Sequence, residues 1–318
     1  MSNRTFYAVQ AVQLAPAADT LSNPTYENVS AIQSVGVNTN FNLEPVYQLG
    51  QLSLYDNFEE IPEVEITLNK VLDGKKTIYQ QCMGNGTLTE LSNRKTGVKL
   101  AIYPDVNSAA TGTPTTVCTM EPAYVSSVTY TFPTEGNFTE EVTLVSNDKS
   151  WAAGSSTLDA QADELGSDYI LRRGALATGV GQSVFPSAGG GGLPAGSKIS
   201  NVSVSLNLGR EQIRELGRRT PYYRYINFPV EITTEITVVA TQGDQVGVTA
   251  DNTACNSAKA LENKTIKIEL CDGTVIDLGS KNKLTTVNYT GGDTGGGNVE
   301  ITYTYQTFND FDYTGPVA

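Results

Sequence analysis

Histidine is absent from all 318 residues. That one gap removes Ser-His-Asp and Cys-His nucleophile pairs, the common zinc sites and the side chain that most often moves protons near neutral pH. Charge is scarce too. Asp, Glu, Lys and Arg make up 17% of the chain, against about 25% in an ordinary globular domain, and Thr, Asn, Ser and Gln fill the difference. A monomer can carry so weakly charged a surface, and so can a subunit flanked by neighbours, because interfaces lose charge at their centre; the second is the expectation. The charge that remains is acidic, −13 in total with a pI near 4.5, so the surface repels phosphate and ordinary DNA binding is disfavoured.

Long apolar runs are also missing. No stretch reaches the roughly 18 residues of a membrane span, and Met1-Ser2-Asn3-Arg4 leads into a strand-like segment rather than a secretory core. Neither a membrane span nor an export signal is expected. The cysteines, Cys82, Cys118, Cys255 and Cys271, lack C-x-x-C spacing, which argues against a zinc ribbon, a thioredoxin pair or a disulfide framework. Free, partly buried thiols are expected, with Cys255 and Cys271 a pair that a hairpin could bring face to face.

What the chain does have is alternation. Val230, Ile232, Ile236 and Val238 are interleaved with Glu231, Thr233, Glu235 and Thr237, a period of 2 that sends one set to each face of a strand, with a slip at the paired threonines that a bulge absorbs. Val64, Ile66 and Leu68 repeat the pattern against Glu63, Glu65 and Thr67. Strands are expected at 7–14, 46–55, 64–72, 97–103, 123–132, 138–145, 199–208, 222–230, 231–240, 265–271, 274–278, 284–289 and 299–307. This is an all-β inventory in a single elaborated domain, 1–318. Asp73-Gly74 and Asp272-Gly273 mark tight turns, the second the clearest hairpin. Ile213 and Leu216, three apart and followed by Gly217, predict a short helix over 210–216, and a turn or two of helix is expected within 158–173. Residues 150–197 read as an Ala/Gly/Ser-rich insertion and 244–264 as a smaller one. The similar strands after Pro62 and Pro229 hint at duplication, although alternation alone produces the same match.

Tests for chemistry mostly fail. Gly191-Gly192-Leu193-Pro194-Ala195-Gly196-Ser197-Lys198 ends Ser-Lys rather than Lys-Ser and precedes a strand instead of a helix, so it is not a phosphate loop. Glycoside cleavage needs two convergent carboxylates. Glu59/Glu60, Glu63/Glu65 and Glu140/Glu141 are the candidates, and solvated strand positions explain them equally. Arg218, Arg219 and Arg224 among Tyr222, Tyr223 and Tyr225 imitate a single-strand binder, but cross-strand tyrosine packing with arginines pairing nearby acids is the preferred account. No catalytic residue, metal site or cofactor is expected.

The run Gly209-Arg210-Glu211-Gln212-Ile213-Arg214-Glu215-Leu216-Gly217-Arg218-Arg219, continuing through Thr220-Pro221-Tyr222-Tyr223-Arg224-Tyr225-Ile226-Asn227-Phe228-Pro229-Val230-Glu231-Ile232-Thr233, resembles the tail-tube proteins of tailed bacteriophages. So do Tyr47-Gln48-Leu49-Gly50, Ile61-Pro62-Glu63-Val64-Glu65-Ile66-Thr67, Val71-Leu72-Asp73-Gly74 and Ile301-Thr302-Tyr303-Thr304-Tyr305. The resemblance implies two packed antiparallel sheets forming a β-barrel or sandwich with a flanking helix. It further implies six copies per ring, stacked rings, and an acidic lumen through which double-stranded DNA slides without specific binding. Glu63, Glu65, Glu231 and Glu235 are the expected lumen acids. Tyr55, Asp56, Asn57, Phe58, Glu59 and Glu60, read as a turn, together with the N-terminal segment, are the expected contacts between rings. Sheath, tape-measure, baseplate and tail-terminator proteins are the implied partners, in a virion tail assembled in the host cytoplasm. The alternatives are a capsid-decoration, baseplate or tail-tip protein, or a carbohydrate-binding or carbohydrate-cleaving tail appendage.

Overall fold

Alternating sequence becomes strand along most of the chain. The computed structural model describes residues 5–154, 170–177, 183–247, 261–291 and 297–316. Its first strands are β1 (Gln10–Leu14), β2 (Glu27–Asn28), β3 (Ile32–Asn40), β4 (Leu43–Tyr47), β5 (Leu54–Glu59) and β6 (Glu63–Val71). Next come helix α1 (Ile78–Met83), β7 (Gly86–Thr87), β8 (Thr96–Ile102), helix α2 (Val106–Thr111), β9 (Thr116–Pro133), β10 (Thr139–Ser146) and β11 (Ser150–Ala153). The second half adds β12 (Lys198–Asn207), β13 (Arg210–Ile213), β14 (Tyr223–Ile226), β15 (Glu231–Val239), β16 (Lys267–Glu269), β17 (Val275–Asp277), β18 (Lys283–Thr290), β19 (Glu300–Phe308) and β20 (Asp312–Thr314).

A 12-stranded antiparallel sheet dominates, with the continuous path β18-β19-β15-β12-β9-β10-β6-β3. The first part of β9 leaves this path to pair with β8 and β11, while β8 carries β1 and β2. A four-stranded sheet, β16-β17-β20-β7, and α1 share one apolar core with the inner face of the large sheet. Aromatic rings pin the layers together. Tyr130 of β9 stacks on Tyr313 of β20 at 6.0 Å, and Tyr79 of α1 meets Tyr313 edge-on at 5.0 Å, geometries favoured by the ring quadrupole. The fold is all-β with packed antiparallel sheets. It is not a closed barrel: among the described residues the path stops at β3 on one side and β18 on the other.

The path is a tandem repeat. In chain order the first unit is β3, β6, β9, β10 and the second β12, β15, β18, β19. In the sheet they lie as β3-β6-β10-β9 followed by β12-β15-β19-β18, the same order twice. Irregularities match as well. The pairing slips between Ile32 and Ser34 in the first unit and between Ile199 and Asn201 in the second. A second slip inserts one residue in β9 opposite Thr143 and Leu144, and its counterpart inserts one in β18 opposite Thr304 and Tyr305. Alternation alone cannot place two bulges at equivalent positions, since each bulge is a specific local departure from the ladder. In this alignment Val204 corresponds to Val37, Tyr289 to Tyr130, and Ile232 to Val64.

Several expectations need correction. Residues 210–216 do not form a helix. Arg210–Ile213 is a strand of a hairpin with Tyr223–Ile226, because Arg210 and Arg224 point inward at a two-residue period while Ile213 and Leu216 stay exposed. The strand expected over 46–55 breaks at the tip of the β4–β5 hairpin, where Gly50 adopts φ +87, a conformation that suits glycine. The segment Tyr55–Glu60, read as a turn, lies instead in and just beyond β5. The helices occur elsewhere, each with a side-chain cap: Thr77 Oγ1 accepts from Gln80 N at 3.1 Å and Asp105 Oδ1 from Ser108 N at 2.7 Å. Within 150–197, Leu171 is buried and its N–H donates to Leu72 O at 2.8 Å, so this part belongs to the core. The helix expected within 158–173 falls largely outside the described residues, as do most of 244–264 and Cys255. Cys82 and Cys118 are buried thiols.

Candidate functional site

The outer face of the large sheet is built from hydroxyls and amides. One row across it runs Ser34, Asn69, Glu141, Thr129, Ser205, Thr233, Gln306, Lys283, and the next runs Thr139, Thr131, Ser203, Glu235, Thr304, Thr286. Their strand neighbours alternate inward, and most of those are buried. Cross-strand bonds tie the face: Thr67 Oγ1 and Thr143 Oγ1 are 3.2 Å apart, and Thr237 Oγ1 and Thr302 Oγ1 3.1 Å. Two glutamates and one lysine are the only charges in these rows, so the face is hydrophilic, weakly acidic and poor in groups that would hold phosphate.

The structure separates the four expected lumen acids. Glu65, Glu231 and Glu235 are exposed on this face. Glu63 instead accepts from Arg224 Nη2 at 3.0 Å, and the Arg224 side chain is almost wholly buried. Glu141, not among the expected lumen acids, joins the face in the first row through its backbone register with Asn69.

Two hairpins project beyond the sheet, each following the first strand of a repeat. Every residue of β4 and β5 is exposed, including Leu43, Val46, Tyr47, Leu54, Tyr55 and Phe58. A two-stranded hairpin in water is marginal without further packing. The β13–β14 hairpin is its structural counterpart. Leu49-Gly50 caps the first and Leu216-Gly217 the second, with both leucines fully exposed and both glycines at positive φ, +87 and +85. The hairpins touch through Arg214 Nη1 to Glu60 Oε2 at 3.5 Å and Arg219 Nη2 to Glu59 Oε2 at 3.7 Å. Of the three arginines expected to pair with nearby acids, Arg219 and Arg224 do so, whereas Arg218 Nε donates to Thr220 Oγ1 at 3.2 Å. The inward Arg210 anchors β13, donating from Nε to Val125 O at 2.8 Å and from Nη1 to Ser92 O at 2.9 Å, and burial pushes its guanidinium down to about 10. At the other end of the chain Phe6 and Tyr7 are exposed.

The buried polar centre lies at the core end of the first repeat. Glu140 Oε2 accepts from Ile78 N at 2.7 Å, and Oε1 from Tyr79 N at 2.9 Å and Tyr130 Oη at 2.8 Å. Burial pushes its carboxyl up despite those donors and the Lys70 charge. Lys70 Nζ, opposite Glu140 in the ladder, bonds Asp73 Oδ1 at 2.9 Å and Ser30 O at 3.0 Å. Burial alone would raise Asp73; the Lys70 ammonium and the bonds from Ser30 and Lys75 hold it below the usual carboxylate range. The network fastens α1 to the sheet. Adjacent Glu140 and Glu141 point to opposite faces, so this pair cannot converge on one bond. Ahead of β12, the glycine-rich run leads into a strand, and Gly191 O accepts from Tyr305 Oη at 2.9 Å. Among the described residues no group of three or more His, Cys, Asp or Glu could hold a metal ion, and no helix is long and apolar enough to cross a membrane.

No family model matches the chain, and no curated protein matches it. Among solved structures, the cryo-EM structure of the anti-feeding prophage baseplate, 6-fold symmetrised, contains a chain that superposes with TM-score 0.35 at 12% identity, covering 48% of this chain and 98% of that chain.

Proposed function

We propose that this protein is a non-enzymatic, self-assembling structural subunit of a bacteriophage tail tube, whose polar sheet face lines a bore for double-stranded DNA. The observation that carries the reading is that, among the described residues, both ends of the large sheet's path are unpaired edges. β3 contains no charged residue and no proline, and β18 carries only Lys283, whereas a monomer normally blunts such edges with charge, proline or a covering segment. Head-to-tail joining of these two edges covers both, and forms a ring where the rotation from copy to copy closes. The Thr-, Ser- and Asn-rich face would then line the bore with Glu65, Glu141, Glu231 and Glu235, repelling phosphate so that DNA slides. The exposed β4–β5 hairpin, which includes the Tyr55–Glu60 contacts, would reach the next ring. The expectation of six subunits per ring takes a modified form: each chain brings two four-stranded units, so six units need three chains.

Negative-stain microscopy of the purified protein, with native mass spectrometry of its rings, tests this. Hollow tubes or stacked rings of three chains support it. Solid particles without a bore would turn the reading toward a capsid-decoration, baseplate or tail-tip protein, and release of polysaccharide in a turnover assay would overturn the non-enzymatic part.

A further inference from the structure

The repeat contains its own template for assembly. Within one chain the last strand of the first unit, β9, pairs with the first strand of the second, β12: Ser127↔Asn207, Val128↔Leu206, Thr129↔Ser205, Tyr130↔Val204 and Thr131↔Ser203. The two free ends of the path are the same kinds of strand. β18 is the second unit's equivalent of β9, and β3 is the first unit's equivalent of β12. Among the described residues no strand pairs with the outer side of either.

We propose that β18 of one copy pairs antiparallel with β3 of a second copy in the register of the internal β9–β12 junction, placing Thr286 opposite Asn40, Val287 opposite Thr39, Asn288 opposite Asn38, Tyr289 opposite Val37 and Thr290 opposite Gly36. These pairs follow from the repeat alignment, which is fixed by the shared bulges. Burial provides an independent sign. At the internal junction the inward pair Tyr130 and Val204 is 0% exposed on both sides, whereas the equivalent Tyr289 and Val37 at the free edges are 55% and 36% exposed. Residues at core positions of the repeat are thus left in solvent at both ends, as an interrupted core requires. Side-chain parity agrees, because Asn288 and Asn38 fall on the polar face, where Thr129 and Ser205 lie in the intact junction.

The contact is heterologous, with different surfaces meeting, so it propagates from copy to copy and closes only as a ring. The interface between chains becomes a copy of the interface within a chain. The inference deepens the proposed self-assembly and rests on it, but specifies edges and register that tube formation does not by itself require.

Cysteine cross-linking reads the register. Directly opposed residues lie about 4.5–5.5 Å apart between Cα atoms, within disulfide range, while a diagonal neighbour two residues away lies at about 7–8 Å. The Asn38→Cys/Asn288→Cys variant, oxidised with diamide, is expected to give covalent multimers that end at the closed ring, and Asn40→Cys/Asn288→Cys at least about tenfold less, given that spacing. No multimers from the first variant, equal cross-linking by the second, or dimers from Asn288→Cys alone would overturn the register. Val37→Lys and Tyr289→Lys, at edge positions exposed in the single chain, guard against misfolding: each is expected to keep the wild-type circular dichroism and melting curve while losing assembly. Assembly retained by both overturns the pairing. Tubes without in-register cross-links overturn the junction and leave the tube reading standing. In-register rings that never stack into tubes do the reverse.

Discussion

Leu49 and Leu52, at the tip of the β4–β5 hairpin, allow contacts within the chain to be separated from the proposed contacts between rings. Both are fully exposed, and a surface substitution of this kind changes folding stability by no more than about 0.5 kcal/mol. If the hairpin seats on a neighbouring ring, each leucine gains about 1.5–3 kcal/mol on burial. The double variant Leu49→Ser/Leu52→Ser should then weaken every inter-ring contact by at least about 3 kcal/mol, more than about a hundredfold in its equilibrium constant. Light scattering against protein concentration, with micrographs of the end state, measures the threshold for tube growth, and urea unfolding checks the fold. The expected outcome is an unchanged unfolding midpoint with a threshold raised by two orders of magnitude or more. Tubes growing at the wild-type concentration would refute the hairpin's part in stacking.

The buried centre makes a prediction of opposite kind, a loss of stability without any direct effect on assembly surfaces. Glu140→Leu strands the N–H groups of Ile78 and Tyr79 and the Tyr130 hydroxyl, and should cost about 3–5 kcal/mol in urea unfolding, as removal of one member of a buried charged network does. Because the Glu140 carboxyl titrates above its ordinary value of 4.5 in the fold, its contribution is present on the acid side and lost as pH rises through the folded value. Glu140→Gln should remove that slope from a stability-pH curve. Asp73 has the reverse sign: its folded value is below 3.8, so its contribution is present above that pH and lost as pH falls through the folded value, and Asp73→Asn should flatten the acid limb. Arg210→Met leaves Val125 O and Ser92 O without their guanidinium donors. It should speed hydrogen exchange across β13–β14, with amides of β9 and β10 unchanged.

The strands legible in the sequence are those with one buried face. β6, β12, β15 and β19 alternate because one side meets the core and the other meets water. β3 is not legible for the same reason in reverse: as an edge strand with its apolar positions half-exposed, it carries Gln33, Ser34, Gly36, Asn38 and Thr39 and almost no periodic signal. The 210–216 segment misleads because Ile213 and Leu216 imitate an apolar stripe, whereas the buried residue there is Arg210, whose partners Val125 and Ser92 are far away in the chain. Of the site acids, Glu65, Glu231 and Glu235 could be placed on a face by parity alone, and parity sets Glu63 beside Glu65; its ion pair could not be read, because Arg224 comes from another hairpin.

The sequence by itself determined what is local or compositional: an all-β chain, the exclusion of histidine chemistry, an acidic and weakly charged surface, and the Asp272-Gly273 hairpin. Side-chain period and turn residues act over a few positions, so they can be read from a string. Only the tertiary structure decided that the path of the large sheet is two matching four-stranded units, that among the described residues it ends in two unpaired edges rather than closing as a barrel, and that Tyr130 is buried while its equivalent Tyr289 is left in solvent. Strand order, bulge position and the neighbour across a ladder are relations between segments tens of residues apart. They are fixed by which faces can share one core, a condition no local pattern records.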